Sequence, residues 1–282
     1  MRSSTEPDLT TLYRRFMETH PIQSAQVGAA QGWSWLDSRT GNETIILLPG
    51  FMGEAETSFL YVLALETHFR VISLTYPPSI GQVQTLCDGL VALLDGLGLQ
   101  QATFLGGSSS GFVAQALVRQ HPARVNRLIL THTGLPNPQH ARKASMYLGL
   151  LRLLPFGLIR WLMQVSMLAY FPRPSCSHVF WRAHFQEVIR RQTRAALSNR
   201  FALLQDFHSH YRFLPADLAG WPGKILLMEM SRDRLTTPHE QAAMRALYHQ
   251  ADLHVFPQTA HYAAVESPDE QIRVIKAHLM NT

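Results

Sequence analysis

The sequence predicts an α/β fold: a mostly parallel central sheet flanked by helices, with a helical cap inserted after strand 6. Three observations carry this. Short apolar runs followed by loops and helix-start signals recur at both ends of the chain. A glycine turn, Gly107-Ser108-Ser109-Ser110-Gly111, joins one such run to a helical pattern. Between Thr131 and Lys224 the rhythm stops, and residues 137–215 read as several helices. The division is therefore a core of residues 1–135 and 216–282 with a cap of residues 136–215.

Residues 1–30 give few signals beyond a leader and a first strand. The first sixteen residues contain no apolar stretch of the secretory kind. Thr44-Ile45-Ile46-Leu47-Leu48 is a strand, and Pro49-Gly50-Phe51-Met52-Gly53 is the loop after it. Residues 102–105 form the strand before the glycine turn, and residues 112–118 the helix after it. Residues 127–131 are a further strand. Residues 224–230 are nearly all apolar, as a strand buried on both faces requires. Asp233 follows in a loop, before Thr237-Pro238-His239-Glu240, which supplies an N-cap, a first-turn proline and a capping-box glutamate. The unit repeats: strand 253–256, a loop ending at His261, and a second capping box at Ser267-Pro268-Asp269-Glu270.

The glycine turn matches G-x-S-x-G, the pattern of a serine held on a sharp strand-to-helix turn. Three serines compete, and spacing favours Ser109, which alone has glycine two residues before and two after. Ser108 has Gly106 before it but Ser110 after it. A bland alternative is a Gly/Ser turn that only caps a helix. A serine attacks only when a base takes its proton, and the base needs a group to orient it. His261 and Asp233 stand in loops at the same sheet edge and supply both roles. Charge developing on the substrate needs backbone N–H donors. Ser110, next to Ser109, gives one, and Phe51 gives the other.

With "LLPGFMG", "GGSSSGF", "MSRDRLTTP" and "FPQTAHYAAVESPDE" in that order, residues 30–280 resemble the α/β-hydrolase superfamily. The resemblance implies an α/β-hydrolase fold and a serine hydrolase with the triad Ser109, Asp233 and His261. It implies an oxyanion hole of Phe51 and Ser110 N–H groups, with no metal or organic cofactor. Two departures stand out: Pro49-Gly50 where most relatives have His-Gly, and Met230 where the acid loop usually has glycine. Serine at the elbow argues against epoxide hydrolases and haloalkane dehalogenases, which carry aspartate there. The default reading is a carboxylesterase acting on a hydrophobic small molecule, with thioester or C–C bond cleavage by the same triad left open. The segments "VISLTYPPS" and "LCDGLVALLDGLGL" also resemble the maspardin type of this superfamily. That likeness implies an alternative: a binding protein that keeps the fold without catalysis.

The chain has 282 residues, enough for one large α/β domain, and a net charge of +5. Only Lys143, Lys224 and Lys276 are lysine among 25 basic residues. No nucleic-acid motif accompanies this charge. Two cysteines, Cys87 and Cys176, suit a reducing, cytoplasmic setting, and their spacing makes no metal site. The cap stretch 144–171 is strongly apolar, but Arg152, Pro155, Gly157 and Arg160 interrupt it, so two short helices fit better than a membrane span. A place at a lipid surface, with the arginines reaching toward head groups, is the alternative for this stretch; membrane contact is possible but not expected. Met52, Met146, Leu150, Trp161, Met167 and Tyr262 are the candidate pocket residues, and an apolar pocket of this kind predicts medium acyl chains. The arginines of residues 181–200 read as a solvated helix face or as a rim that draws carboxylated or phosphorylated substrates.

Overall fold

A computed structural model describes residues 8–27, 30–170, 176–261 and 268–280. The chain begins with α1 (Leu9–Thr19), β1 (Gln23–Val27), β2 (Ala30–Asp37) and β3 (Thr44–Leu48). Next come α2 (Phe59–Leu65), β4 (Arg70–Thr75), α3 (Val83–Gly96), β5 (Ala102–Gly107), α4 (Ser109–Gln120) and β6 (Val125–Thr131). Four helices follow: α5 (Pro138–Leu153), α6 (Phe156–Tyr170), α7 (Cys176–Arg191) and α8 (Arg194–His210). The chain closes with β7 (Lys224–Met230), α9 (Pro238–Leu247), β8 (Asp252–Phe256) and α10 (Pro268–Met280).

The strands form one sheet in the order β1-β2-β4-β3-β5-β6-β7-β8. β2 is antiparallel to β1 and to β4, and every pairing from β4 to β8 is parallel. The predicted mostly parallel sheet flanked by helices is thus the observed fold. Alternation along each strand splits the core in two. Ile46, Ile72, Phe104, Leu128 and Leu227 pack with α3, α4 and α9 on one face. Ile45, Val71, Leu105, Ile129 and Leu226 pack with α1, α2, α7 and α10 on the other. Burying a Leu, Ile, Val or Phe contributes roughly 1.5–3 kcal/mol, so these two layers hold the sheet rigid beneath its loops.

α1 occupies part of the segment read as a leader; Asp8 caps it and Phe16 anchors it in the core. The parallel strands end in loops along one carboxyl edge, and the four-helix insertion leaves from that same edge, after β6. α5 ends at Leu153 and α6 starts at Phe156, so the break falls at Leu154-Pro155, as the sequence predicts. The insertion has its own small apolar centre of Leu151, Ile159 and Leu197, and Phe51 from the loop after β3 packs onto it. Among the described residues no helix is long and apolar enough to cross a membrane. Cys87 is buried in α3, while Cys176 has no described side chain.

Candidate active site

β5 ends at Gly107 and α4 starts at Ser109, so Ser108 alone makes the turn. Its backbone sits at φ 52 and ψ −124, a region that costs an L-residue about 1–3 kcal/mol. Neighbouring bonds hold it there. Ser108 N–H donates to Thr131 O at 3.1 Å, continuing the β5–β6 ladder. Its carbonyl accepts from Gly111 N–H at 3.1 Å and from Thr133 Oγ1 at 2.7 Å. Ser110 Oγ accepts from Gly107 N–H at 2.9 Å, and its hydroxyl points at the carbonyls of Gly107 and Leu48, 2.8 and 3.1 Å away. A Cβ on Gly106 would lie 2.7 Å from the Ser110 carbonyl oxygen. Strand and helix therefore meet backbone to backbone, which only glycine permits.

β7 and β8 are parallel neighbours, with Met230 opposite Phe256. Their loops are tied together: Arg232 N–H donates to Thr259 O at 2.9 Å, and Gln258 N–H donates to Ser231 Oγ at 2.8 Å. This lacing brings Asp233 to His261. His261 Nδ1–H donates to Asp233 Oδ2 at 2.8 Å. Asp233 Oδ1 accepts from Leu235 N–H at 2.7 Å and Thr236 N–H at 3.1 Å. Burial pushes the Asp233 carboxyl up, but His261 and these two N–H groups outweigh it and hold the carboxyl below its ordinary value. A carboxylate on Nδ1 leaves Nε2 as the acceptor. Ser108 Oγ lies 2.9 Å from that nitrogen.

The expectation that Ser109 faces His261 therefore does not hold; the hydroxyl on the imidazole is that of Ser108. Ser109 is the first residue of α4 and lines the adjoining pocket. The N–H that follows the turn residue is accordingly Ser109's and not Ser110's. As a first-turn amide, it has no carbonyl one turn behind it in the helix. Phe51 stands across the same pocket, in a loop closed by Gly53 N–H donating to Gly50 O at 2.9 Å. Insertion residue Arg200 donates to the Phe51 carbonyl, and the Phe201 ring lies 4.8 Å from the Phe51 ring.

Sequence reasoning missed His132, whose ring stands edge-on to His261 at 4.7 Å. Its backbone is also left-handed, at φ 38. Thr131 Oγ1 lies 2.9 Å from its Nδ1, and its carbonyl accepts from Thr236 Oγ1 at 3.2 Å. Burial, then the charge of His261, push its pKa down to about 3, so it stays neutral beside that ring. Its place just past β6, one strand over from the elbow, was the signal available.

The pocket is lined by Gly50, Phe51, Tyr76, Ser109, Phe112 and Arg200, with further apolar side chains. Its free space is small, about 40 Å³, room for about three waters at roughly 10–15 Å³ each. That size argues against the expectation of medium acyl chains. The candidate pocket residues from sequence do not line it. Met146 and Trp161 are 54% and 56% exposed, Leu150 is also exposed, and Met52 packs into the core on the far face of the sheet. The Met167 side chain and Tyr262 lie outside the described residues. The arginines of residues 181–200 are mostly ties between parts of the fold. Arg191 pairs with Glu54 and Glu56, each at 3.1 Å, and Arg194 donates to the Leu154 carbonyl at 2.9 Å, whereas Arg190 pairs with Glu187 within α7 at 2.7 Å.

Comparison with known proteins agrees with this architecture. A model described as "Alpha/beta hydrolase family" matches residues 45–274. Maspardin from Danio rerio is 37% identical over 128 residues, which cover 43% of this chain and 41% of that protein. The chain thus spans about two fifths of the length of the curated relatives it matches. A hydrolase from Pseudomonas aeruginosa PA01 superposes with a TM-score of 0.75 at 21% identity, covering 92% of this chain and 98% of that one. A thermophilic esterase from Thermogutta terrifontis gives 0.72 at 20% identity, covering 91% and 98%.

Proposed function

The chain belongs to the alpha/beta hydrolase family, and from that premise and the site's geometry we propose that it is a serine hydrolase cleaving small carboxylic esters. The observation that carries the reading is the continuous chain of hydrogen bonds from Asp233 through His261 to Ser108. In this reading His261 Nε2 takes the Ser108 proton as Oγ attacks the ester carbonyl. Asp233 holds the Nδ1–H tautomer and stabilises the imidazolium. The N–H groups of Ser109 and Phe51 bind the oxyanion of the tetrahedral intermediate. His261 then protonates the departing alcohol, leaving an acyl-Ser108 ester. A water, deprotonated by His261, releases the acid. The four inserted helices act as a cap that seats Phe51 and closes one side of the pocket.

A second reading has one observation behind it: the likeness to maspardin over 128 residues. In that reading the chain binds a ligand without turning it over. A fluorophosphonate probe separates the two. An adduct mapped by mass spectrometry to Ser108, together with turnover in a panel of esters, thioesters and diketones, supports the hydrolase. Absence of any adduct, with no turnover across the panel, favours the binding protein.

A further inference from the structure

Arg200 reaches from α8 into a pocket that is otherwise mainly apolar. Its one hydrogen bond among the described residues goes to the Phe51 carbonyl, a neutral acceptor. No ion pair among the described residues includes it. Glu54 acts on it only at longer range, and that carboxyl is engaged by Arg191 at 3.1 Å. A guanidinium has five donors, and one carbonyl leaves most of them unused. Desolvating such a charge without a counter-charge is costly.

Tyr76 makes the same point independently. It follows β4 at the carboxyl edge of the sheet, where ligands bind in folds of this kind. It lines the same pocket, and its hydroxyl is buried with no hydrogen-bond partner among the described residues. Arg200 and Tyr76 therefore line one pocket. Buried polar groups in native proteins are almost always satisfied, and unsatisfied ones call for an explanation.

We propose that Arg200 and Tyr76 form an anion subsite that selects short acyl esters ending in a carboxylate. The ester carbonyl sits between Ser108 and the Ser109 and Phe51 amides. The far carboxylate takes charge-assisted bonds from the Arg200 fork and the Tyr76 hydroxyl. Room for about three water-sized groups limits the chain to a few carbons, as in a hemisuccinate, with the rest of the substrate outside. Because Arg200 belongs to the insertion and Ser108 to the sheet, such a substrate bridges the two.

This proposal rests on the hydrolase reading, and its test separates the two. Monomethyl succinate and methyl 4-methylpentanoate have acyl groups of the same shape and differ in the charge at the tip. The ratio of their kcat/KM values is the readout. Wild type favours the succinate ester by at least about tenfold, the worth of one bond to a charged group. Arg200→Met collapses that ratio, Arg200→Lys restores part of it, and Tyr76→Phe lowers it. Proportional losses on both esters, with the ratio intact, would mean that Arg200 only positions the Phe51 loop, and the proposal fails. Calorimetric titration of free succinate into Ser108→Ala reads the subsite without turnover. Succinate binding that Arg200→Met abolishes supports the subsite even if no ester is hydrolysed, in which case the hydrolase reading alone is lost. Turnover of both esters at equal rates, without succinate binding, overturns the subsite and keeps the hydrolase.

Discussion

Glycine and alanine at positions 108 and 109 should rank in opposite orders of stability. Ser108 sits at φ 52, and an L side chain there costs about 1–3 kcal/mol. Ser108→Ala keeps that strain and loses the bond to His261, whereas Ser108→Gly loses the same bond but relieves the strain. Glycine's greater unfolded-state entropy returns about 0.5–1 kcal/mol of the gain. Ser108→Gly should therefore be more stable than Ser108→Ala by about 1–2 kcal/mol. One residue on, Ser109 is helical, and there alanine should exceed glycine by up to about 1 kcal/mol. Urea unfolding of the four purified variants measures both differences. The same variants carry the catalytic test. Both Ser108 variants should lose on the order of 10⁴–10⁶ in kcat on p-nitrophenyl esters, the scale for removing a nucleophile whose partners act as a unit. Both Ser109 variants should stay within about tenfold, because position 109 contributes a backbone N–H that neither substitution removes. Alanine more stable than glycine at 108, or activity that survives in Ser108→Ala and vanishes in Ser109→Ala, would refute the assignment of the elbow to Ser108.

Other consequences can be measured alongside. Asp233→Asn should cost about 10⁴ in kcat, since the asparagine amide would favour the wrong histidine tautomer; stopped-flow ester hydrolysis reads it, and a loss under tenfold contradicts the role. The Asp233 carboxyl is held below its ordinary value, so its stabilisation is present above its unfolded value of 3.8 and is lost as pH falls below it. Thermal unfolding between pH 5 and pH 3 should therefore fall more steeply in wild type than in Asp233→Asn. Glu54 runs the other way: burial, then the charge of Glu56, push it up to about 7. Its folded form binds more protons than its unfolded form between about 4.5 and 7, so stability should drop through that window as pH rises. Glu54→Gln should flatten this fall by on the order of 1 kcal/mol after allowing for the Arg191 pair, and an unchanged slope counts against it. Gly106→Ala should cost about 1–3 kcal/mol or more, because the new methyl meets the Ser110 carbonyl at 2.7 Å; an unshifted urea midpoint would show that strand and helix can part.

Patterns local to the chain were legible from the sequence. The apolar runs at 44–48 and 224–230 became buried strands, because a strand covered on both faces must be apolar throughout. The capping box at Thr237 and Glu240 starts α9 with both of its hydrogen bonds formed. Asp233 and His261 were found because strand ends feed loops at one edge of a parallel sheet, whatever their separation along the chain. Only the tertiary structure could choose among three adjacent serines. Spacing asked for glycine two residues to either side, and Ser109 met that rule. The rule, however, stands in for a space requirement, and space is set by packing. Gly106 has no room for a side chain, pressed against the Ser110 carbonyl, and Gly111 has none either, pressed against Thr133. Ser110 is small enough to take the far glycine's place by folding its hydroxyl back onto Gly107 and Leu48. A shift of one residue in where β5 stops and α4 starts moves the left-handed kink from one serine to the next. That shift is fixed by contacts with β3 and β6 and with Thr133, partners that lie far from the motif in sequence. The pocket shows the same limit. An apolar helix pattern marked Met146 and Trp161 as buried candidates, but which face of a helix turns inward depends on its neighbours. Those neighbours turned Arg200 inward instead.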